Sequence, residues 1–118
     1  MSRRTERVGD VLRAEISTII NRKIRDPRVR LTSVSAVDVS PDLRHARVHV
    51  SVVGDHAAQE ASLEALRHAA GYIRGQVGRE LKRLRNIPEL RFELDRGAEY
   101  SQRISDLLEN PDEHNKST

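Results

Sequence analysis

The sequence predicts an α+β fold in which a small three-stranded sheet carries helices on one face. Two long stretches repeat apolar residues at steps of three and four, as amphipathic helices do. Three short stretches are rich in β-branched or alternating apolar residues, as strands are. A sheet covered on one face is the simplest way to bury all of these apolar faces. The chain has 118 residues, enough for one domain with a single modest core.

The first helix is predicted from about Thr5 to Ile24. Its apolar residues recur at helical spacing, namely Val8, Val11, Leu12, Ile16, Ile19, Ile20 and Ile24. Thr5 is a suitable N-cap. Pro27 disfavours helix at the residue before it, so the helix should end there.

A β-hairpin is predicted in LTSVSAVDVSPDLRHARVHVSVVGD. In its second half, apolar residues alternate with polar ones, the period of a half-buried strand: Ala46, Val48, Val50 and Val52. In its first half, residues 31 to 40, the alternation slips by one residue, which a β-bulge or a different register would explain. Pro41 and Asp42 suit the centre of a type I turn between the strands.

A long helical region follows, roughly Ala57 to Arg85, and NIP ends it. The next segment, ELRFELD, predicts a third strand with Leu90, Phe92 and Leu94 on one face. We expect a single domain over residues 1 to 109, in which 97 to 109 form a C-terminal helical segment. Residues 110 to 118 are expected to be a disordered acidic tail.

The long helix contains GQVG, residues 75 to 78, which matches the G-x-x-G of a KH-type RNA-binding loop. A loop would break the helical phase of the apolar residues, yet that phase continues from Leu63 to Leu84. We therefore interpret GQVG as helix interior. Glycine there costs about 0.5–1 kcal/mol relative to alanine, so its presence requires a reason.

Gly71, Gly75 and Gly78 form what we call the glycine strip, because they fall within about 60° of one another on a helix. Cations accompany them: Arg67, Arg74, Lys82 and Arg85 flank the strip, and Arg79 lies at its edge. A phosphate backbone could approach such a strip closely while the cations neutralise it. Close packing of another protein element is the alternative. The cations favour RNA, since packing would bury them beside the strip.

A second basic patch lies in NRKIRDPRVR, residues 21 to 30. It holds one acid and five cations, which are Arg22, Lys23, Arg25, Arg28 and Arg30. Cations favour a helix C-terminus, but these continue past the predicted helix end, where that effect fades. We therefore interpret the patch as a second group of phosphate contacts.

The charge distribution agrees with an RNA partner. Residues 1 to 88 hold 17 Lys and Arg against 10 Asp and Glu, whereas residues 89 to 118 hold 4 against 8. With only three aromatic residues, the chain can hardly build a base-stacking platform.

The sequence gives no sign of a metal site, a catalytic site or a membrane segment, and it contains no cysteine. His45 and His49 lack further metal ligands, and Asp38 and Asp42 lack a partner nucleophile or base, so no metal site or catalysis is expected. Neither a secretory signal nor a membrane span is expected.

Several stretches, in their order and spacing, resemble the ribosome-binding factor A family over about residues 3 to 109. They are RRTERVGDVLRAEISTII, DPRV, VSAVDVSPDLRHARVHVSV, ALRHAAGYIRGQVGREL, IPELRFELD and EYSQRISDLLE. The resemblance implies a type II KH-like fold of order α-β-β-α-α-β. In that family an Ala-x-Gly kink between the second and third helices replaces the G-x-x-G loop. The matching residues are Ala69, Ala70 and Gly71.

The resemblance also implies a function. Such bacterial proteins bind the free small (30S) ribosomal subunit and contact its 16S rRNA during late maturation. They assist processing of the 5′ end of the rRNA precursor and matter for cold adaptation. The implied protein is a cytoplasmic monomer without cofactor, small-molecule substrate or catalytic activity. The alternative is a protein–protein interaction module of the same fold that makes no direct RNA contact. The short acidic tail departs from the family, because it offers no basic extension for RNA.

Overall fold

The computed structural model describes residues 3–29 and 31–95, which leaves the predicted segment 97–109 and the tail 110–118 outside the described residues. The helices are α1, Arg3–Lys23, and α2, His56–Glu80, with a short 3-10 helix at Pro27–Val29. The strands are β1, Thr32–Val39, β2, His45–Val52, and β3, Glu89–Leu94. No helix in this part of the chain combines the length and apolarity that crossing a bilayer requires.

The three strands form one sheet in the order β1-β2-β3. β1 and β2 are antiparallel, whereas β2 and β3 are parallel. A parallel pair needs a long crossover connection, and α2 supplies it. The predicted α+β class and three-stranded sheet are therefore confirmed.

The slip in the alternation of β1 is a β-bulge at Ser35. The register shifts between Val34, which lies opposite Val50, and Ala36, which lies opposite His49. The Ser35 hydroxyl donates a hydrogen bond of 3.1 Å to the His49 carbonyl. The extra residue lets both Val34 and Val39 reach the core, although strict alternation would place them on opposite faces.

The core lies between the sheet and the two helices, with α1 packed on β1 and α2 on β3. β1 contributes Val34 and Val39, at 9% and 5% exposure. The fully buried side chains come from the two helices, β2 and β3, and include Leu12, Ile16, Val48, Val50, Leu66, Ile73, Val77 and Phe92. Val11, which the helical pattern assigns to the apolar face, is 47% exposed. The chain is already helical at Arg3, so Thr5 is a buried residue of α1 and not the predicted N-cap.

Helix α2 runs without interruption from His56 to Glu80. Its N-cap is Asp55, whose carboxylate accepts a hydrogen bond of 2.8 Å from the Ala58 backbone N–H. The interpretation of GQVG as helix interior is confirmed. The expected division into two helices at residues 69–71 is wrong, because these residues are helical and α2 continues past them.

The helix ends at Glu80 rather than at the predicted Arg85. The chain must turn back here, because β3 starts beside the start of β2, where the Glu89 N–H donates to the Arg44 carbonyl at 2.8 Å. Leu84 and Ile87 pack against the core from within this connection. The spacing of these two residues therefore matches the helical period, although the helix ends at Glu80.

Candidate nucleic-acid interface

The glycine strip is open at two of its three positions. Gly71 and Gly75 are exposed, and a Cβ built on either would meet no described atom within 4 Å. A Cβ on Gly78 would lie 3.6 Å from Ile87 Cγ1, an ordinary contact. No described element packs over Gly71 or Gly75, so their helix-weakening presence has no packing explanation within residues 3–29 and 31–95.

The two arginines that flank the strip are anchored to main-chain carbonyls. Arg67 Nη2 donates to the Phe92 carbonyl at 3.4 Å, in β3, which is an edge strand among the three described strands. Arg74 donates from Nε and Nη2 to the Ile87 carbonyl at 3.0 and 2.7 Å. A guanidinium has five N–H donors, so Arg74 keeps three for another acceptor while it holds the connection between α2 and β3.

The remaining predicted cations of this region lie in two settings. Arg79 is an exposed residue of α2. Lys82 and Arg85 are also exposed, but they follow the end of the helix, so their predicted positions on the helix beside the glycines are wrong. In the Ala69-Ala70-Gly71 motif, both alanines are half-buried against the core, and only Gly71 is fully at the surface.

The second basic patch adjoins the glycine strip. Arg22, Lys23, Arg25 and Arg28 are exposed at and beyond the end of α1, and Arg30 lies outside the described residues. Lys23 Nζ donates to Gln76 Oε1 at 2.6 Å, beside Gly75. The fold thus brings two segments that are about fifty residues apart in sequence onto one basic surface.

Arg28 differs from its neighbours because it has a carboxylate partner. Its Nη2 lies 2.7 Å from Asp26 Oδ2, and Nε also donates to both carboxylate oxygens. These hydrogen bonds lower the pKa of Asp26 and raise that of Arg28. The Arg28 charge is therefore compensated. The other described cations of the two predicted patches form no ion pair with any described carboxylate.

A third basic feature, which we call the arginine cleft, lies where the start of α1, the β1–β2 turn and the α2–β3 connection meet. It has a volume of about 820 Å³ and is lined by five arginines, Arg4, Arg44, Arg74, Arg83 and Arg85. Of these, only Arg74 and Arg85 were predicted. Arg83 belongs to the basic run KRLR, which could have indicated it, whereas Arg4 and Arg44 carry no local signal.

Other candidate residues have structural partners on the sheet face that points away from the helices. His49 Nε2 lies 3.0 Å from Asp38 Oδ2, and His45 Nδ1 lies 3.9 Å from Glu89 Oε2. Asp42 is a turn residue, as predicted: the Leu43 N–H donates to the Ser40 carbonyl at 2.8 Å across it. Within the described ranges, no three His, Asp or Glu side chains are grouped as a metal site would require.

Comparisons with known proteins give a consistent result. The family model described as ribosome-binding factor A matches residues 4–108. A ribosome-binding factor A from Thermomicrobium roseum is 50% identical over 107 residues, which is 91% of this chain and 82% of that protein.

Two sets of coordinates from Thermus thermophilus are similar in fold. The crystal structure of its ribosome-binding factor A has a TM-score of 0.68 at 27% identity, covering 76% of this chain and 94% of that one. A homology model of the same factor, fitted into a cryo-EM map of its complex with the 30S subunit, has a TM-score of 0.61 at 29% identity. That match covers 73% of this chain and 89% of the other.

Proposed function

Because this chain belongs to the ribosome-binding factor A family, we propose that it binds the free small (30S) ribosomal subunit and contacts its 16S rRNA. The Thermus thermophilus factor fitted into a map of a 30S complex supports the small subunit as the partner. The single observation that carries the RNA contact is the open glycine strip. A Cβ built on Gly71 or Gly75 would have no described neighbour within 4 Å beyond the local helix, and cations lie on either side of the strip.

The proposed contact is with the sugar-phosphate backbone. At Gly71 and Gly75 a strand can approach to the distance of the helix backbone, since no side chain intervenes. Arg67, Arg74 and Lys23 then neutralise its phosphates from both sides. Of the Tyr and Phe side chains in the described residues, Tyr72 is exposed and Phe92 is buried, so a single ring of these two types is free for stacking. Binding should therefore recognise RNA shape and charge more than base identity.

In this role the protein assists late maturation of the subunit and processing of the 5′ end of the rRNA precursor, in the cytoplasm, including growth in the cold. It acts by binding, as a monomer, without catalysing a reaction and without a cofactor. We also propose that the domain is a type II KH-like variant in which the second and third helices are one. The antiparallel β1–β2 pair, the parallel β2–β3 pair and the α2 crossover support this.

Co-sedimentation with separated 30S subunits and with whole ribosomes tests the proposal. We expect the protein to pellet with free 30S subunits and much less with whole ribosomes. The affinity should fall steeply with salt. The logarithm of the association constant, plotted against the logarithm of the salt concentration, should have a slope of about −0.7 for each phosphate neutralised on a single strand. An affinity that is unchanged between low and moderate salt would instead favour the protein–protein interaction module.

A further inference from the structure

We propose that the arginine cleft is a subsite for successive phosphates of a single RNA strand, held by Arg4, Arg44, Arg83 and Arg85. The inference rests on the proposed function, because it specifies where on this molecule the rRNA backbone is bound most firmly. It adds a third surface to the two basic regions that the sequence predicts, and three of its four arginines, Arg4, Arg44 and Arg83, are not among the contact residues predicted from sequence.

The fold holds the walls of the cleft in place before any ligand arrives. On one side, the main chain of Arg44 is bonded twice: its N–H donates to Asp42 Oδ1 at 3.1 Å, and its carbonyl accepts from the Glu89 N–H at 2.8 Å. The neighbouring Leu43 adopts a left-handed conformation, with φ of 62°, which closes the turn. Arg44 is therefore presented from a turn whose backbone is fixed.

The opposite wall is anchored to the core. Arg83 and Arg85 stand on either side of Leu84, which packs against the core, and Pro88 is buried. The two hydrogen bonds from Arg74 to the Ile87 carbonyl tie this connection to α2. A ligand would thus find the backbone segments that carry these arginines already in place, so only the side chains have to be ordered on binding.

The positive charge of the cleft is only weakly compensated among its described lining residues. Five arginines line it against one carboxylate, that of Asp42, for a net charge of +4. Asp42 accepts hydrogen bonds from the Ser40 hydroxyl at 2.6 Å and from the Arg44 N–H. Its carboxylate forms no ion pair with a cleft arginine. Like charges around a concavity repel one another and concentrate a positive potential, so the arrangement favours an anion inside it.

The free donors of the cleft match phosphate. The side chains of Arg4, Arg44, Arg83 and Arg85 make no hydrogen bond or ion pair to described residues, so their guanidinium groups remain available. A guanidinium binds phosphate oxygens with two parallel N–H donors. The volume of about 820 Å³ exceeds what one phosphate ion needs and admits a sugar-phosphate segment.

The position of Arg74 connects the cleft with the glycine strip. Arg74 flanks the strip on α2 and also lines the cleft. A strand that lies over Gly75 can therefore continue past Arg74 into the cleft without leaving a basic surface. No aromatic side chain of residues 3–29 and 31–95 lines the cleft, which favours a ligand bound through its backbone over one held by base stacking.

The test compares two double variants of the full chain that remove the same charge. Arg44→Gln with Arg83→Gln alters opposite walls of the cleft, and Arg47→Gln with Arg91→Gln alters the exposed sheet face away from the helices. We expect the cleft variant to bind 30S subunits and a short single-stranded oligoribonucleotide about tenfold more weakly at low salt. Its salt slope should be shallower by about 1.4, that is by about 0.7 for each lost phosphate contact on a single strand. The sheet variant should remain within twofold of wild type.

Two further measurements identify the ligand and its place. Adding the oligoribonucleotide to wild-type protein should shift the Nε–Hε NMR signals of Arg44, Arg83 and Arg85, while that of Arg91 stays in place. Thermal unfolding should show that the cleft variant is at least as stable as wild type, because substitution relieves repulsion between like charges. Polyglutamate of equal charge should compete poorly with the oligoribonucleotide.

The outcomes separate the cleft from the function on which it rests. If the cleft variant binds like wild type while Gly75→Glu loses subunit binding, the cleft inference is wrong and the proposed function stands. If wild-type protein does not bind free subunits at all, the proposed function is wrong. The cleft inference is then tested by oligoribonucleotide binding alone, and it is wrong if the cleft variant binds the oligoribonucleotide like wild type. If polyglutamate binds as tightly as RNA and shifts the same arginine signals, the ligand class is wrong.

Discussion

Gly9 in α1 and Gly75 in α2 have opposite surroundings, one tightly packed and the other open. A Cβ on Gly75 would meet no described atom within 4 Å, whereas a Cβ on Gly9 would lie 2.5 Å from the Val37 carbonyl oxygen. Gly9 is therefore required by the close approach of α1 to β1. Gly75 weakens α2 without allowing any described contact, and this cost is consistent with a surface kept bare for a ligand.

Substitution of Gly75 separates stability from binding. Gly75→Ala should raise the free energy of unfolding by up to about 1 kcal/mol, because alanine favours helix and no described atom obstructs its methyl group. Gly75→Glu should keep the fold but weaken 30S binding, since it places volume and negative charge where phosphates approach. Lys82→Glu should also weaken 30S binding, because it replaces an exposed cation of the same basic region by a negative charge. Urea unfolding and co-sedimentation measure both effects, and a clearly destabilised Gly75→Ala protein would contradict the open surface.

Arg74 needs a different substitution because it has two roles. Arg74→Glu would remove a cation and also break the hydrogen bonds that hold the Ile87 carbonyl. A loss of binding in that variant would not distinguish RNA contact from a displaced connection. Arg74→Lys keeps the charge and loses the paired donors, so it isolates the positioning role.

The Asp42 carboxyl provides a test that depends on pH. Hydrogen bonds from the Ser40 hydroxyl and then from the Arg44 N–H lower the pKa of Asp42 below its ordinary 3.8. Because this pKa is lowered in the folded state, its contribution to stability is present above about pH 3.8 and is lost as the pH falls through the folded value. Ser40→Ala should raise the pKa of Asp42 towards the ordinary value.

Carboxyl ¹³C chemical shifts measured against pH would show this change. The pKa of Asp26 serves as the internal control, because its lowering comes from Arg28 and is independent of Ser40. An unchanged Asp42 pKa in Ser40→Ala would mean that the hydroxyl does not bond to the carboxylate in solution.

At the scale of elements, the contact between α1 and β1 depends on Gly9. Gly9→Ala would bring a methyl group against a strand carbonyl, which cannot rotate away as a side chain can. We expect a loss of about 1–3 kcal/mol in the free energy of unfolding. Gly71→Ala, at an exposed helical position with no described neighbour, is the matched control and should stabilise. If the two variants were equally stable, α1 would not approach β1 as closely as the structure has it.

The helical phase of α2 was predictable, and its end was not. Leu63, Leu66, Ile73 and Val77 are buried as their spacing predicts, because a regular helix places them on one face. Beyond Glu80, Leu84 keeps that spacing by coincidence, since it reaches the core from a turn. The signal that stops the helix is the position of β3 beside β2, a long-range pairing that periodicity does not contain.

For residues 69–71, the spacing of the apolar residues predicted the structure better than the family resemblance did. A kink at Gly71 was expected from the resemblance, whereas the uninterrupted spacing predicted continuous helix, which the structure has. The β-bulge at Ser35 was visible in sequence as a slip of alternation, because side chains in a strand alternate faces and an extra residue reverses the order.

At the scale of the whole molecule, the basic surface is assembled from distant segments. Sequence runs revealed the patch at residues 21–30 and the cations around the glycines, because their charges are clustered locally. The arginine cleft was hidden, since Arg4, Arg44 and Arg83 stand far apart in sequence and only the topology brings them together. A count of charge along the chain finds clusters of charge, but it cannot find a cleft formed where a helix start, a hairpin turn and a connection meet.

The tail, residues 110 to 118, belongs to the acidic end of the chain. Residues 110 to 118 have no apolar periodicity and carry Asp112 and Glu113 against Lys116. Deleting them should change the melting temperature by less than about 2 °C, which corresponds to a few tenths of a kcal/mol in a domain of this size. Binding to 30S subunits should be unchanged or slightly tighter, because negative charge near a basic surface opposes the approach of RNA.

Asp112→Asn with Glu113→Gln is the matched control, since it keeps the length of the chain and removes the negative charge. If charge is the cause, this variant should bind like the truncated protein. A drop of more than about 5 °C on truncation would mean instead that the tail packs against the domain and contributes to its stability.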